Sequence, residues 1–244
     1  MRTFIYTTIG LAAALFSGSL SMADDGAIDP DLFSQGLVLY NENCAICHGE
    51  NGDGTGPLAS GFTPRPADLT GGVFKIRSTE TGSFPTQADL EKTIRNGIVG
   101  SYGRSMPPFD NFDEDELRAL IEVVRAAAGG PSFGVEVAVA PPPDSIDLGL
   151  GAKLYQDLNC IECHGENGDG DGRMAAELVD AAGNKIRPAD FRTGQYKGGN
   201  QPSDIWMRLY TGLDGTPMQS FGRGSSGDEL WALVEYIRQF SGTN

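Results

Sequence analysis

The feature that most constrains this chain is a stretch of sequence written twice. Asn43-Cys44-Ala45-Ile46-Cys47-His48-Gly49-Glu50-Asn51-Gly52-Asp53-Gly54 returns as Asn159-Cys160-Ile161-Glu162-Cys163-His164-Gly165-Glu166-Asn167-Gly168-Asp169-Gly170. Other landmarks keep the same order around it. Gly36 and Tyr40 match Gly151 and Tyr155 upstream; Arg65-Pro66-Ala67-Asp68 matches Arg187-Pro188-Ala189-Asp190 downstream. Met106 falls opposite Met218, and Asp115-Glu116-Leu117 opposite Asp228-Glu229-Leu230. The period is about 115 residues, too long for a solenoid unit, so what repeats is a domain.

The chain has 244 residues, which suits two such domains. Residues 1–23 read as a secretory signal peptide: Met1-Arg2, a mostly apolar run from Phe4 to Phe16, and small residues at Ser21 and Ala23. The expected division is a cleaved signal at 1–23, a first domain at 24–130, a Pro-rich linker at 131–146 and a second domain at 147–244. The linker contains Pro141-Pro142-Pro143, which favours an extended spacer. Val135 to Val139 is read either as a short strand or as a stretch lying along a domain surface.

Each copy reads as mainly helical, so the fold class is all-α. Asp29-Pro30 is a helix start, and Leu32, Phe33, Leu37 and Tyr40 form a stripe leading into the Cys motif. Thr86 with Asp89 predicts a capping pair, with Gly97 closing that helix. The last helix of each copy buries Leu117, Leu120, Ile121 and Val124, or Leu230, Leu233, Val234 and Ile237, at helical spacing. Long Gly- and Pro-rich loops connect these helices. Units of roughly 100 residues built this way bury little surface, so another group must complete each core.

Cys-x-x-Cys-His is the attachment signature of c-type haem. The thiols of Cys44 and Cys47, and of Cys160 and Cys163, would form thioethers to the porphyrin vinyls, and His48 and His164 would ligate iron. A zinc ribbon needs four ligands close together in sequence, and a thioredoxin-like pair needs a βαβ setting; neither is present. The sixth ligand is argued by elimination, with Lys or Tyr left open as residue types that pair less cleanly across the repeat. The chain has two His and four Cys, all assigned. Of the Met residues beyond the signal, only Met106 and Met218 match across the repeat, both in Pro-containing loops. Met207 reads as core and Met174 as surface or packing. Asn167 to Gly172 looks like a calcium loop but has Leu178 where the bidentate Glu would stand, and reads as a turn.

These residues resemble the class I cytochrome c family, duplicated into a dihaem cytochrome. The carriers are the two Cys-x-x-Cys-His motifs, Gly36 and Tyr40 with Gly151 and Tyr155, and the distal Met residues, over nearly all of the chain after the signal. The resemblance implies two small helical shells, each wrapped around one covalently bound haem c. The stretches Gly54 to Met106 and Gly172 to Met218 are long for a minimal member, which suggests an elaborated subtype such as an electron-transfer partner of periplasmic dehydrogenases or respiratory complexes. Arg65 and Arg187 carry two readings: loop arginines paired with their own Asp, or contacts to a haem propionate. Tyr40 and Tyr155 are expected as core aromatics. Trp231 is expected to help the domains pack.

His/Met ligation closes the iron and favours a high potential, which suits electron transfer and not catalysis. No catalytic residue is expected. The expected function is a periplasmic dihaem cytochrome c carrying single electrons, as a soluble carrier or as the cytochrome subunit of a dehydrogenase or respiratory complex. The alternative is a haem enzyme, peroxidase-like or thiol-oxidising, with one open or labile iron. The net charge of −15 argues against nucleic acid and anionic membranes, and predicts redox partners with a basic docking surface. No segment after the signal is expected to anchor in a membrane.

Overall fold

In a computed structural model, residues 27–99 and 106–242 are described. The signal-peptide expectation at 1–23 falls outside these residues. Eight α-helices form among them: α1 Pro30–Asn43, α2 Ala45–His48, α3 Gln87–Asn96, α4 Glu114–Ala127, α5 Leu148–Asp157, α6 Cys160–His164, α7 Pro202–Thr211 and α8 Gly227–Gln239. Short 3-10 turns lie at Ala59–Gly61, Ala175–Glu177 and Phe191–Thr193. No strand forms among the described residues, only isolated bridges such as Thr79 to Glu136. The all-helical class is as expected.

The helix starts are built by their caps. Asp29 accepts from the N–H groups of Asp31 and Leu32, and Pro30 opens the first turn of α1. Thr86 and Asp89 close a reciprocal capping box at α3, and Gly97 ends that helix at φ 66°. Asp113 with Glu116 and Ser226 with Glu229 do the same for α4 and α8.

The two halves repeat one packing arrangement. α1 lies on α4, and α5 on α8. The reason is written in one residue of each pair. A Cβ at Gly36 would collide with the carbonyl of Ala119, and one at Gly151 with that of Ala232. Only glycine lets these helix backbones approach so closely. On the facing helices Leu117, Leu120 and Ile121, and Leu230, Leu233, Val234 and Ile237, are buried as the spacing predicts; Val124 is only partly so. The α1 stripe needs one correction. Gly36 and Tyr40 form its buried edge, and Leu37 lies off it and is exposed. A helix seated through a glycine presents the residue four positions on, and not the one beside it, to its partner.

Residues 131–146 form no helix and touch both halves. Val137 N–H donates to the Ser78 carbonyl at 2.7 Å, and Val137, Val139 and Ala140 pack against the second core. Val135 to Val139 therefore lies along the domain surfaces with a single bridge and no strand. Trp231 is buried, but its Nε1–H donates to the Ala140 carbonyl at 2.8 Å. It holds the connecting segment, and not the first domain, against the second.

The halves meet where residues 75–82 lie against α7. Arg77, fully buried, forms an ion pair with Asp214 and donates to the carbonyls of Thr79 and Thr211. In the opposite direction Arg208 donates to the carbonyls of Lys75, at 3.0 Å, and Arg77. Lys92 pairs with Asp204 at 2.5 Å, and the Tyr210 hydroxyl reaches Glu80 at 3.1 Å.

Candidate haem sites

The two Cys-x-x-Cys-His segments are the short helices α2 and α6, each set directly after the long helix that precedes it. In the first copy α1 runs to Asn43 and Cys44 caps it, donating its N–H to the Tyr40 carbonyl. In the second, α5 ends at Asp157 and Asn159 turns the chain with φ 59°, a left-handed conformation that Asn tolerates better than most residues. Two different junctions thus deliver the same motif.

The tyrosines set the far end of each motif. Tyr40 Oη donates to the Gly49 carbonyl and Tyr155 Oη to the Gly165 carbonyl, both at 2.8 Å, and both rings are buried. They are core aromatics with a positioning bond that their spacing alone did not reveal. The glycine-rich turn then folds back over the motif. A Cβ at Gly56 would stand 2.5 Å from the Ala45 carbonyl oxygen, and one at Gly172 2.5 Å from that of Ile161. These contacts require glycine at positions 56 and 172, while Gly49, Gly52 and Gly54, and Gly165, Gly168 and Gly170, have positive φ.

The imidazoles are oriented from behind. His48 Nδ1 lies 3.0 Å from the Ala67 carbonyl and His164 Nδ1 3.3 Å from the Ala189 carbonyl. Donation by Nδ1–H leaves Nε2 as the coordinating nitrogen, the usual way a protein sets the tautomer of a metal-ligating His. Burial favours the neutral ring, which is the ligating form: it lowers His48, and with help from Lys197 takes His164 down to about 4. The His164 ring also stacks on Phe191, centroids 4.3 Å apart. The four thiols are free and partly buried. Burial, then the neighbouring thiol, raises Cys44 to about 11, and burial raises Cys160 likewise.

Met106 and Met218 occupy matching backbone positions. The Ile98 N–H donates to the Met106 carbonyl and the Leu213 N–H to the Met218 carbonyl, each at 3.0 Å, just after the glycine that ends α3 or α7. Met207 is buried, as its helix position predicts, and Met174 is 46% exposed. The counterpart of Met174 is Leu58: each opens a 3-10 turn and donates its N–H to a motif carbonyl, of Glu162 and Ile46 respectively.

Arg65 and Arg187 lie on exposed stretches of their motifs. Asp68 accepts from Thr70, and Asp190 from Arg192 at 2.9 and 2.8 Å. Within each Arg-Pro-Ala-Asp segment the alanine carbonyl lies behind the histidine. That role went unread in the sequence, although the repeat of the segment was its signal.

The donor set fits haem c. Each site holds two free thiols within one helical turn, followed by an imidazole whose Nδ1 is tied back. Family comparisons agree. A model described as cytochrome c matches residues 149–241, and one described as cytochrome c oxidase, cbb3-type, subunit III matches residues 31–122. A solved chain from the reducing HAO-like protein complex of Kuenenia stuttgartiensis is 37% identical with a TM-score of 0.80, over 88% of this chain and 97% of that one. The cbb3-type cytochrome c oxidase subunit FixP of Azorhizobium caulinodans is 25% identical over 225 residues, 88% of this chain and 63% of the relative. The cytochrome bc1 complex cytochrome c subunit of Mycobacterium tuberculosis is 28% identical over 196 residues, 74% of this chain and 60% of the relative. The chain therefore spans about three fifths of the curated relatives it matches.

The chain belongs to the cytochrome c family. It carries two such domains in tandem, with two covalently bound haem c groups.

Proposed function

We propose that this cytochrome works outside the cytoplasm, in the periplasm, and passes single electrons between a donor and an acceptor through two His/Met-ligated haems. Cys44, Cys47, Cys160 and Cys163 are the thioether attachment points, His48 and His164 the proximal ligands, and Met106 and Met218 the distal ligands. The observation that carries this reading is the equivalence of the two methionine loops: each Met carbonyl is tied to the N–H that follows the terminal glycine of α3 or α7. When bound, haem c supplies reversible one-electron exchange at iron. The chain's own part is to tie the imidazoles through Ala67 and Ala189, and Met106 and Met218 would supply the thioethers that hold the iron with them.

The named relatives are subunits of larger redox complexes, a cbb3-type oxidase and a bc1 complex. This supports a role as the cytochrome subunit of such an assembly, or as a carrier docking on one. No helix among the described residues is long and apolar enough to cross a membrane. The export reading rests on residues 1–23.

A carbon monoxide difference spectrum of the reduced protein tests the ligation. The expected result is no binding at either haem, with Met218→Ala opening one. Rapid binding by the unaltered protein would overturn the proposal and bring a haem enzyme forward.

A further inference from the structure

Met218 stands at the end of a loop that is tied internally. The Leu213 N–H donates to the Met218 carbonyl at 3.0 Å. The Thr216 hydroxyl donates to the Leu213 carbonyl at 2.7 Å and accepts from the Met218 N–H at 3.2 Å. The Gly215 carbonyl accepts from the Ala181 N–H at 2.8 Å.

The other side of this loop is built by the first half of the chain. Arg77 donates through Nη2 to the Thr211 carbonyl at 3.2 Å and grips the Asp214 carboxylate with Nε and Nη2. The Thr81 hydroxyl donates to the same Thr211 carbonyl at 3.1 Å, and the Gly82 N–H to Asp214 at 3.1 Å. A Cβ at Gly215 would stand 3.1 Å from Val73 Cγ1. Residues 73–82 thus meet residues 211–215, the stretch between the end of α7 and Met218. The loop of Met106 is steadied within its own half: the Ile98 N–H donates to the Met106 carbonyl and the Phe109 N–H to the Ile94 carbonyl, both at 3.0 Å.

The last carbonyls of a helix have no partner inside it. Thr211 is the last residue of α7, so Arg77 and Thr81 satisfy the point from which the loop to Met218 departs. A two-pronged arginine–carboxylate pair fixes direction as well as distance. Arg77 and Thr211 are both buried, which strengthens these bonds. A metal ligand must be held within about 0.5 Å of its productive place by the groups behind it. We propose that Arg77 is a positioning residue for the second iron: through Thr211 and Asp214 it holds the loop that delivers Met218, so closure of the second haem depends on the first half of the chain. This rests on the reading of Met218 as the distal ligand. A loosened seam opens the second iron and leaves the first closed.

The test uses the holoprotein with Arg77→Gln, Asp214→Asn and Lys92→Gln. The last breaks the ion pair to Asp204, at the opposite end of α7, and is the control for a seam that is merely weakened. Met106→Ala and Met218→Ala assign the upfield-shifted ligand methyl resonances of the reduced protein to their haems. Haem content is read from the pyridine haemochrome spectrum, followed by the methyl resonances and carbon monoxide binding. Arg77→Gln is expected to keep two haems and the Met106 resonance and to lose that of Met218. It raises the carbon monoxide-bound fraction of the second haem about tenfold, the order set by one lost charge-assisted hydrogen bond. Asp214→Asn shows the same change and stands in for Arg77→Gln should that variant fail to mature. Lys92→Gln leaves both irons closed. A Met218 resonance unchanged in Arg77→Gln, or in Asp214→Asn as its stand-in, would overturn this proposal alone, as would equal opening by Lys92→Gln. Survival of the second haem's ligand resonance in Met218→Ala would overturn the reading beneath it.

Discussion

Arg77 of the first half and Asp214 of the second form a two-pronged ion pair, Nε to Oδ2 at 2.9 Å and Nη2 to Oδ1 at 2.5 Å, with the guanidinium wholly removed from water. The Gly82 N–H donates to the same carboxylate at 3.1 Å. Removing one partner leaves a charge at a covered seam with nothing to balance it, at a cost of about 3–5 kcal/mol. Arg77→Ala should lower the free energy of unfolding by that amount, enlarge the hydrodynamic radius and speed proteolysis in residues 131–146. The double change Arg77→Met with Asp214→Leu should cost less than the single one. Identical denaturation curves for Arg77→Ala and the unaltered protein would show that the pair does not hold the seam.

Gly36→Ala and Gly151→Ala each drive a methyl group into a facing helix carbonyl. The helices must part, at a cost of about 1–3 kcal/mol. The effect should be local: Gly36→Ala weakens the first domain and Gly151→Ala the second. Thermal unfolding followed through the two haem environments separates them, and equal losses in both domains from either variant would contradict the independent α1–α4 and α5–α8 contacts.

Asp180 gives the seam a pH dependence. Burial raises its carboxyl, but the Asn184 amides and Lys75 outweigh this and hold it below the ordinary value. Stability from a depressed carboxyl is complete above its unfolded value of about 3.9 and is lost as pH falls through the folded one. The unaltered protein should therefore exceed Asp180→Asn in urea midpoint at neutral pH, and the gap should close as pH falls below about 4. A gap of constant size from neutral to acid would remove Asp180 as its source.

The net charge of −15 predicts steering by a basic partner surface. Reduction of the cytochrome by its physiological donor should slow as ionic strength rises, because screening lengths shrink to about 10 Å at 0.1 M salt. Rates independent of salt would mean that docking is apolar.

Much of the fold was legible in the sequence because its signals are local. A capping box needs Thr86 and Asp89 three residues apart, a buried helix face needs Leu230, Leu233, Val234 and Ile237 at one spacing, and haem attachment needs two thiols and an imidazole within one turn. The misread positions depended on a partner distant in sequence. Leu37 belongs by spacing to the helical stripe that leads into the Cys motif, but the approach of α1 to α4 at Gly36 turns it outward. Trp231 is expected from the sequence to help the domains pack, and its indole N–H meets the Ala140 carbonyl of the connecting segment.

By itself the sequence determined that the chain is a duplicated helical domain with a haem-attachment motif in each copy, because those patterns lie within single turns and single helices. Only the tertiary structure decided what stands behind the histidines and between the halves. The carbonyls of Ala67 and Ala189 carry no side-chain signal. The pairing of Arg77 with Asp214 joins residues more than a hundred positions apart whose cost and value arise only once both leave water.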